Sequence, residues 1–257
     1  MKIIITEDYE QMSRQGARIV SSQLTLKPDS VLGLATGGSV AGMYRRLIQL
    51  HREDGLDFSK AITFNLDEYS PISPEDPQSY HRFMRDHLFD HVNIRPESTH
   101  IPDGMAEDVA AECRRYEESI RAAGGIDLQV LGIGRNGHIG FNEPDITFEA
   151  GTHLVTLDEQ TLQDNARYFR SVAEVPRRAL SMGIKTIMHA RRILLLASGE
   201  EKSDAVHRMI YGKTTPALPA SVLQLHPDVT LVLDQGAARR LPKASGSPAG
   251  QEGVWYA

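Results

Sequence analysis

Cysteine occurs once in 257 residues, at Cys113, and tryptophan once, at Trp255. A single thiol excludes an intramolecular disulfide framework and any cysteine-rich zinc or iron–sulfur site, and it fits a reducing compartment. Basic charge is also short: 28 Lys and Arg face 34 Asp and Glu, a formal net charge of −6. That sign disfavours a generic attraction to nucleic acid or to an anionic membrane, so an anionic ligand has to be held by a local site. No apolar stretch approaches the ~18 residues of a membrane span, and the run Ile3-Ile4-Ile5 is far too short for a secretory signal. The expectation is a cytoplasmic protein with neither membrane nor nucleic acid as partner. No histidine spacing suggests a metal site, and His81, His87, His91, His189 and His207 read as surface or helix-packing residues.

The composition that remains, 40% hydrophobic and 24% charged, is that of a globular chain able to bury a large core. Short apolar, β-branched runs stand at Ile3–Thr6, Val31–Thr36, Ala61–Asn65, Asp127–Gly132, Arg192–Ser198 and Val229–Leu233. They alternate with segments of helical period at Tyr9–Leu24, Ala41–Glu53, Tyr80–His91, Met105–Ala123, Pro176–Ala190 and Glu200–Tyr211. This alternation predicts an α/β fold, an open, mostly parallel Rossmann-like sheet with helices on both faces. Residues 1–241 are expected to form a single domain and 242–257, rich in Gly, Ala, Ser and Pro, a flexible tail. Ser70–Pro77 and Asn142–Asp164 read as long loops, where α/β proteins place functional residues.

Three motifs end apolar strands. Thr36-Gly37-Gly38-Ser39 joins a strand to a helix, where glycines admit a close ligand and free amides favour an anion such as phosphate. A plain tight turn capped by Ser39 would read the same way. The motif lacks both the lysine of a P-loop and GxGxxG spacing, which disfavours a nucleotide. Asn65-Leu66-Asp67-Glu68-Tyr69 brings adjacent carboxylates to a strand end, where one could remove a proton beside a carbonyl or imine. A solvated acidic turn is the alternative. Gly132-Ile133-Gly134-Arg135-Asn136-Gly137-His138-Ile139-Gly140-Phe141-Asn142-Glu143-Pro144 packs four glycines, His138 and Glu143 into thirteen residues. Glycine is entropically costly, so this density points to backbone shaped around a ligand, with His138 exchanging protons and Glu143 orienting it. Arg167 and Lys202 are candidate anion partners, the first as a bidentate guanidinium and the second at the opening of a helix.

With these motifs the chain resembles the glucosamine-6-phosphate deaminase (glucosamine-6-phosphate isomerase) family. The resemblance runs through Ala35-Thr36-Gly37-Gly38, Phe64–Tyr69, Ser79-Tyr80, Gly137–Pro144 and Leu223-Gln224-Leu225-His226-Pro227, and it extends to about Asp234. It implies deamination and aldose–ketose isomerisation of glucosamine 6-phosphate to fructose 6-phosphate and ammonia, without cofactor or metal. It further implies that Asp67 shuttles a proton from C2 toward C1 and that His138, oriented by Glu143, assists ring opening. Thr36, Gly37, Gly38 and Ser39 would hold the phosphate with Arg167 and Lys202. Where some members carry an aspartate this chain has Asn136, which cannot ionise and only orients its neighbours by hydrogen bonds.

Two other functions share parts of this pattern. Sugar-phosphate lactonases of the 6-phosphogluconolactonase type have a similar Thr-Gly-Gly turn, but an arginine where Tyr69 stands and an Ala-Ser-Leu-Phe-Pro-like run at Gly140–Pro144. A non-catalytic sugar-phosphate sensor would not require Asp67, His138 and Glu143 together. Family members differ in assembly, leaving monomer and homo-oligomer open. Regulated relatives bind N-acetylglucosamine 6-phosphate between subunits through a serine and basic residues after the His-Glu motif. Here Ile146–Val155 contains no arginine or lysine, and Glu149 would repel a phosphate, so a non-allosteric enzyme is expected.

Overall fold

The structure, a computed structural model, describes residues 1–242 and 253–256. The chain opens with β1 (Lys2–Thr6), α1 (Tyr9–Leu26), β2 (Val31–Leu34), α2 (Gly38–Asp54), β3 (Ile62–Asn65) and β4 (Asp67–Tyr69). It continues through α3 (Tyr80–His87), β5 (Thr99–His100), α4 (Val109–Ala122), β6 (Leu128–Leu131), β7 (His153–Thr156) and α5 (Glu159–Asn165). It ends with β8 (Arg178–Ser181), α6 (Ile184–Met188), β9 (Arg192–Ala197), α7 (Ser203–Tyr211), β10 (Val229–Asp234) and β11 (Gly253–Tyr256).

Eight strands form one sheet in the order β11-β1-β10-β9-β6-β2-β3-β5. All neighbours pair in parallel except β11, which runs antiparallel to β1. Successive strand residues point to opposite faces, so a strand buried along its whole length has cover on both. β2, β6 and β10 are buried at every position, as the continuous apolar runs predict for an open, mostly parallel α/β sheet. Asp8, Ser79, Asp108 and Asp158 each accept an amide of the helix that follows, fixing where α1, α3, α4 and α5 begin.

Two expectations need correction. Pro176–Ala190 is not one helix but β8 and α6, because Ala179-Leu180-Ser181 pairs with β4 and β7 in a second, antiparallel sheet. The break is Gly183, where a Cβ would stand 2.3 Å from the Gly151 carbonyl oxygen and 2.4 Å from that of Ala150. The segment 142–164 is not one long loop but contains β7 and α5, the first showing alternating burial along its length. Most of the expected flexible tail, 243–252 and 257, lies outside the described residues, while Gly253–Tyr256 form β11. Among the described residues no helix is long and apolar enough to cross a membrane.

Gly183→Ala is expected to destabilise the protein by about 1–3 kcal/mol, since the methyl meets backbone that cannot rotate away. Denaturant unfolding should show a lower midpoint at an unchanged slope.

Candidate active site

In the main sheet β3 and β5 lie on one side of β2, and β6, β9, β10 and β1 on the other. Open α/β sheets bind ligands where the strand order reverses in this way, beyond the carboxyl ends of the strands. A cavity of about 410 Å³ occupies that position. Thr36, Gly37, Gly38 and Ser39 line it from the β2–α2 turn, Asp67 from the first residue of β4, and His138 from the loop after β6. Arg167 enters from a 3-10 turn, Ala166–Tyr168, and Lys202 from the residue preceding α7. Asn136 and Glu143 do not line the cavity but stand behind His138.

At one end the first turn of α2 is left open. Its N-cap is Gly37 rather than Ser39, at φ 98° in the region that favours glycine, and no side chain caps the turn. A helix terminus of this kind offers amides and a positive dipole end to an anion. Lys202 stands in the same cavity, and burial lowers its pKa, with Arg167 and Arg135 adding repulsion against the opposing pull of Asp164 and Glu201. Arg135 Nη1 pairs with Asp164 Oδ1 at 3.1 Å, and the Arg167 guanidinium lies 4.9 Å from the centre of the Tyr168 ring. The combination of an uncapped helix terminus with mutually repelling cations is suited to a dianion.

The acid–base end is built from two loops. Burial pushes the Asp67 carboxyl well above the usual carboxylate range, and the neighbouring Glu68 adds to the effect. Glu68 is itself pushed up to about 7 by burial, although it accepts hydrogen bonds from the amides of Tyr80, His81 and Tyr69. Neither carboxyl sits in a solvated turn. His138 Nδ1 lies 3.4 Å from Glu143 Oε2 and 3.4 Å from Thr161 Oγ1. Asn136 Nδ2 donates to Glu143 Oε2 at 2.9 Å, and Asn136 Oδ1 accepts from the His138 amide at 3.2 Å. Burial raises the Glu143 pKa, but His138, Thr161 and Asn136 outweigh it and hold the carboxyl below its ordinary value. A Cβ at Gly134 would stand 2.3 Å from the His138 ring, so only glycine there lets the imidazole lie against the backbone.

Between the two ends stands an aromatic wall absent from the expectations. Tyr69 packs on Tyr80, Phe141 and Phe169 with ring centres 5.0, 5.5 and 5.8 Å apart. All four line the cavity, and burial keeps the Tyr69 and Tyr80 hydroxyls protonated by raising their pKa values. Thr161, Asp164 and Tyr168 also line it. Thr161, Asp164 and Arg167 repeat at helical spacing, a signal readable only once 159–165 is recognised as a helix. His87, expected to be a packing histidine, stacks on Phe83 at 4.1 Å and borders the cavity as well.

This arrangement has close relatives. The profile described as glucosamine-6-phosphate isomerases/6-phosphogluconolactonase matches residues 7–232. A glucosamine-6-phosphate deaminase of Thermoanaerobacter pseudethanolicus is 55% identical over 242 residues, covering 94% of this chain and 96% of its own. A solved structure described as a monomeric glucosamine-6-phosphate deaminase superposes with a TM-score of 0.91 at 51% identity, covering 93% of this chain and 99% of that one. A 6-phosphogluconolactonase from Leishmania guyanensis superposes with a TM-score of 0.73 at 21% identity, covering 94% and 98%, a likeness of fold alone. By the span of the profile match and the identity to the deaminases, the chain belongs to the family of glucosamine-6-phosphate isomerases and 6-phosphogluconolactonases.

Proposed function

We propose that the cavity performs the deaminase chemistry of this family, converting glucosamine 6-phosphate to fructose 6-phosphate and ammonia in the cytoplasm. The carrying observation is that Asp67 and His138, the latter backed by Glu143, share one cavity with an uncapped helix terminus and two cations. The sugar phosphate is anchored by the first turn of α2, Arg167 and Lys202, supplying binding energy remote from the reacting carbons. His138, held by Glu143 and Asn136, moves the hydroxyl proton that opens the sugar ring. Asp67 then removes the C2 proton to give an enolamine and returns it at C1, forming a ketimine. Water adds at C2 and ammonia leaves. No step calls for a cofactor.

A lactonase is the competing reaction on this fold. Tyr69 occupies the aromatic wall where that family has arginine, and Glu143 is engaged by His138 and Asn136. Incubation with glucosamine 6-phosphate, following ammonia and fructose 6-phosphate together, should show equimolar release. Release of neither by folded protein between mildly acidic and mildly alkaline pH overturns the assignment.

Asp67 works as a base only when ionised, and its carboxyl is raised above the ordinary range. As pH falls through that raised value the base is protonated, so the acid limb of kcat/KM should lie above the ~4 of an ordinary aspartate. A pH–rate profile of the free enzyme with saturating controls for stability checks this.

A second cavity, of about 370 Å³, lies behind the His-Glu pair and is lined by Glu143, Asp145, Glu149, Asp158 and His153, with no lysine or arginine among the described residues of its walls. An added phosphate dianion meets four carboxylates there against a single imidazole. Initial rates should therefore be hyperbolic in substrate and unchanged by N-acetylglucosamine 6-phosphate. A sigmoidal curve that this compound makes hyperbolic would refute the absence of allostery.

A further inference from the structure

Tyr9, the first residue of α1, is absent from the walls of the active-site cavity, yet its hydroxyl is built into the first turn of α2. The hydroxyl donates to the Gly38 carbonyl at 2.7 Å and accepts from the Gly42 amide at 2.8 Å. Those two groups are four residues apart, the donor and acceptor that a regular α-helix pairs with each other. A single phenol oxygen bridges them here. Gly42 makes the room, since a Cβ there would stand 2.8 Å from the Tyr9 hydroxyl and 2.2 Å from Ser13 Oγ. Tyr9 is held in turn by the cap of its own helix, where Asp8 Oδ1 accepts the Gln11 amide at 2.8 Å.

The Gly38 carbonyl and the Ser39 amide belong to one planar peptide unit and point in opposite directions. A bond that fixes the carbonyl therefore fixes the direction of the Ser39 N–H, and Gly38 and Ser39 both line the cavity. No side chain caps this turn from in front, so its orientation is set from behind. We infer that Tyr9 is a positioning residue for phosphate recognition, aiming the first-turn amides of α2 at the phosphate of the substrate. This rests on the assignment of the phosphate to the α2 turn and Lys202 made above.

The test is Tyr9→Phe, which removes one oxygen and keeps the ring. KM for glucosamine 6-phosphate and Ki for inorganic phosphate should rise together by about 3- to 10-fold, the scale of one or two neutral hydrogen bonds, with kcat changed less than about twofold. The weak binding of unphosphorylated glucosamine should stay as it was. Gly42→Ala, whose methyl would crowd Ser13 Oγ as well as the Tyr9 hydroxyl, should give a shift at least as large. A purely structural role predicts a lower Tm with KM and phosphate inhibition unchanged, and that result overturns the proposal, as does an equal loss for phosphorylated and unphosphorylated sugar. Lys202→Ala separates the two levels. If Lys202→Ala weakens phosphate inhibition and Tyr9→Phe does not, only the role of Tyr9 fails. If Lys202→Ala leaves phosphate inhibition intact, the phosphate assignment fails and the role of Tyr9 with it.

Discussion

Asp67→Asn should reduce deamination by about 10³-fold, within the range that a positioned general base contributes. The substitution keeps the volume of the side chain and replaces the proton-accepting carboxylate by an amide. It also removes a buried charge whose carboxyl is raised by burial and by Glu68, so the variant should fold at least as stably near neutral pH. The sign follows from linkage: a carboxyl raised in the folded state favours folding while protonated, and that contribution is lost as pH rises through the folded pKa. Activity and stability are thus expected to move in opposite directions at this residue, which an unfolding artefact would not produce. Two measurements decide the matter. Exchange of the substrate's C2 hydrogen with solvent should vanish with turnover, while calorimetric binding of the sugar phosphate should remain. Exchange at the wild-type rate would mean that another group is the base.

The second large effect is expected at the other end of the cavity. Lys202→Ala should raise KM for glucosamine 6-phosphate by about 10- to 100-fold, since a charge-assisted hydrogen bond to phosphate is worth roughly 1.5–3 kcal/mol. Arg167→Ala should act in the same direction. Lys202 is half-buried, burial lowers its pKa, and Arg167 and Arg135 further disfavour its charge. A phosphate dianion reverses that balance, so binding should also draw a proton onto the lysine. Titration calorimetry in buffers of different ionisation enthalpy reads both the affinity and the proton. Equal losses of affinity for phosphorylated and unphosphorylated glucosamine would place the effect in folding rather than in phosphate contact.

The fold was legible wherever burial is continuous. β2, β6, β9 and β10 are apolar at most positions because layers cover both faces. What sequence patterns concealed is the small antiparallel sheet. β4 carries Asp67 and Glu68, whose charges mask a strand that is buried at all three positions. β8 resembles a helix start, because its pairing partners lie far away in the chain, at 67–69 and 153–156. The residues proposed for the site were legible because chemistry forced unusual composition onto short stretches, as in Gly132–Pro144. The aromatic wall was not, since Tyr80, Phe141 and Phe169 come from separate elements and meet only through tertiary packing around Tyr69. Tyr9 gave no signal at all, because its work depends on the single oxygen that reaches α2.

The antiparallel pairing of β11 with β1 matches Lys2 with Tyr256 and Ile5 with Gly253. Without that partner, β1 would be the outermost strand of the sheet, presenting a row of free amides and carbonyls on the β-branched run Ile3-Ile4-Ile5. Such a border invites the same border of a second molecule. β11 therefore acts as a guard rail along that border. A chain cut short before Gly253 acquires a self-complementary edge, so its failure would show as clumping in concentrated solution.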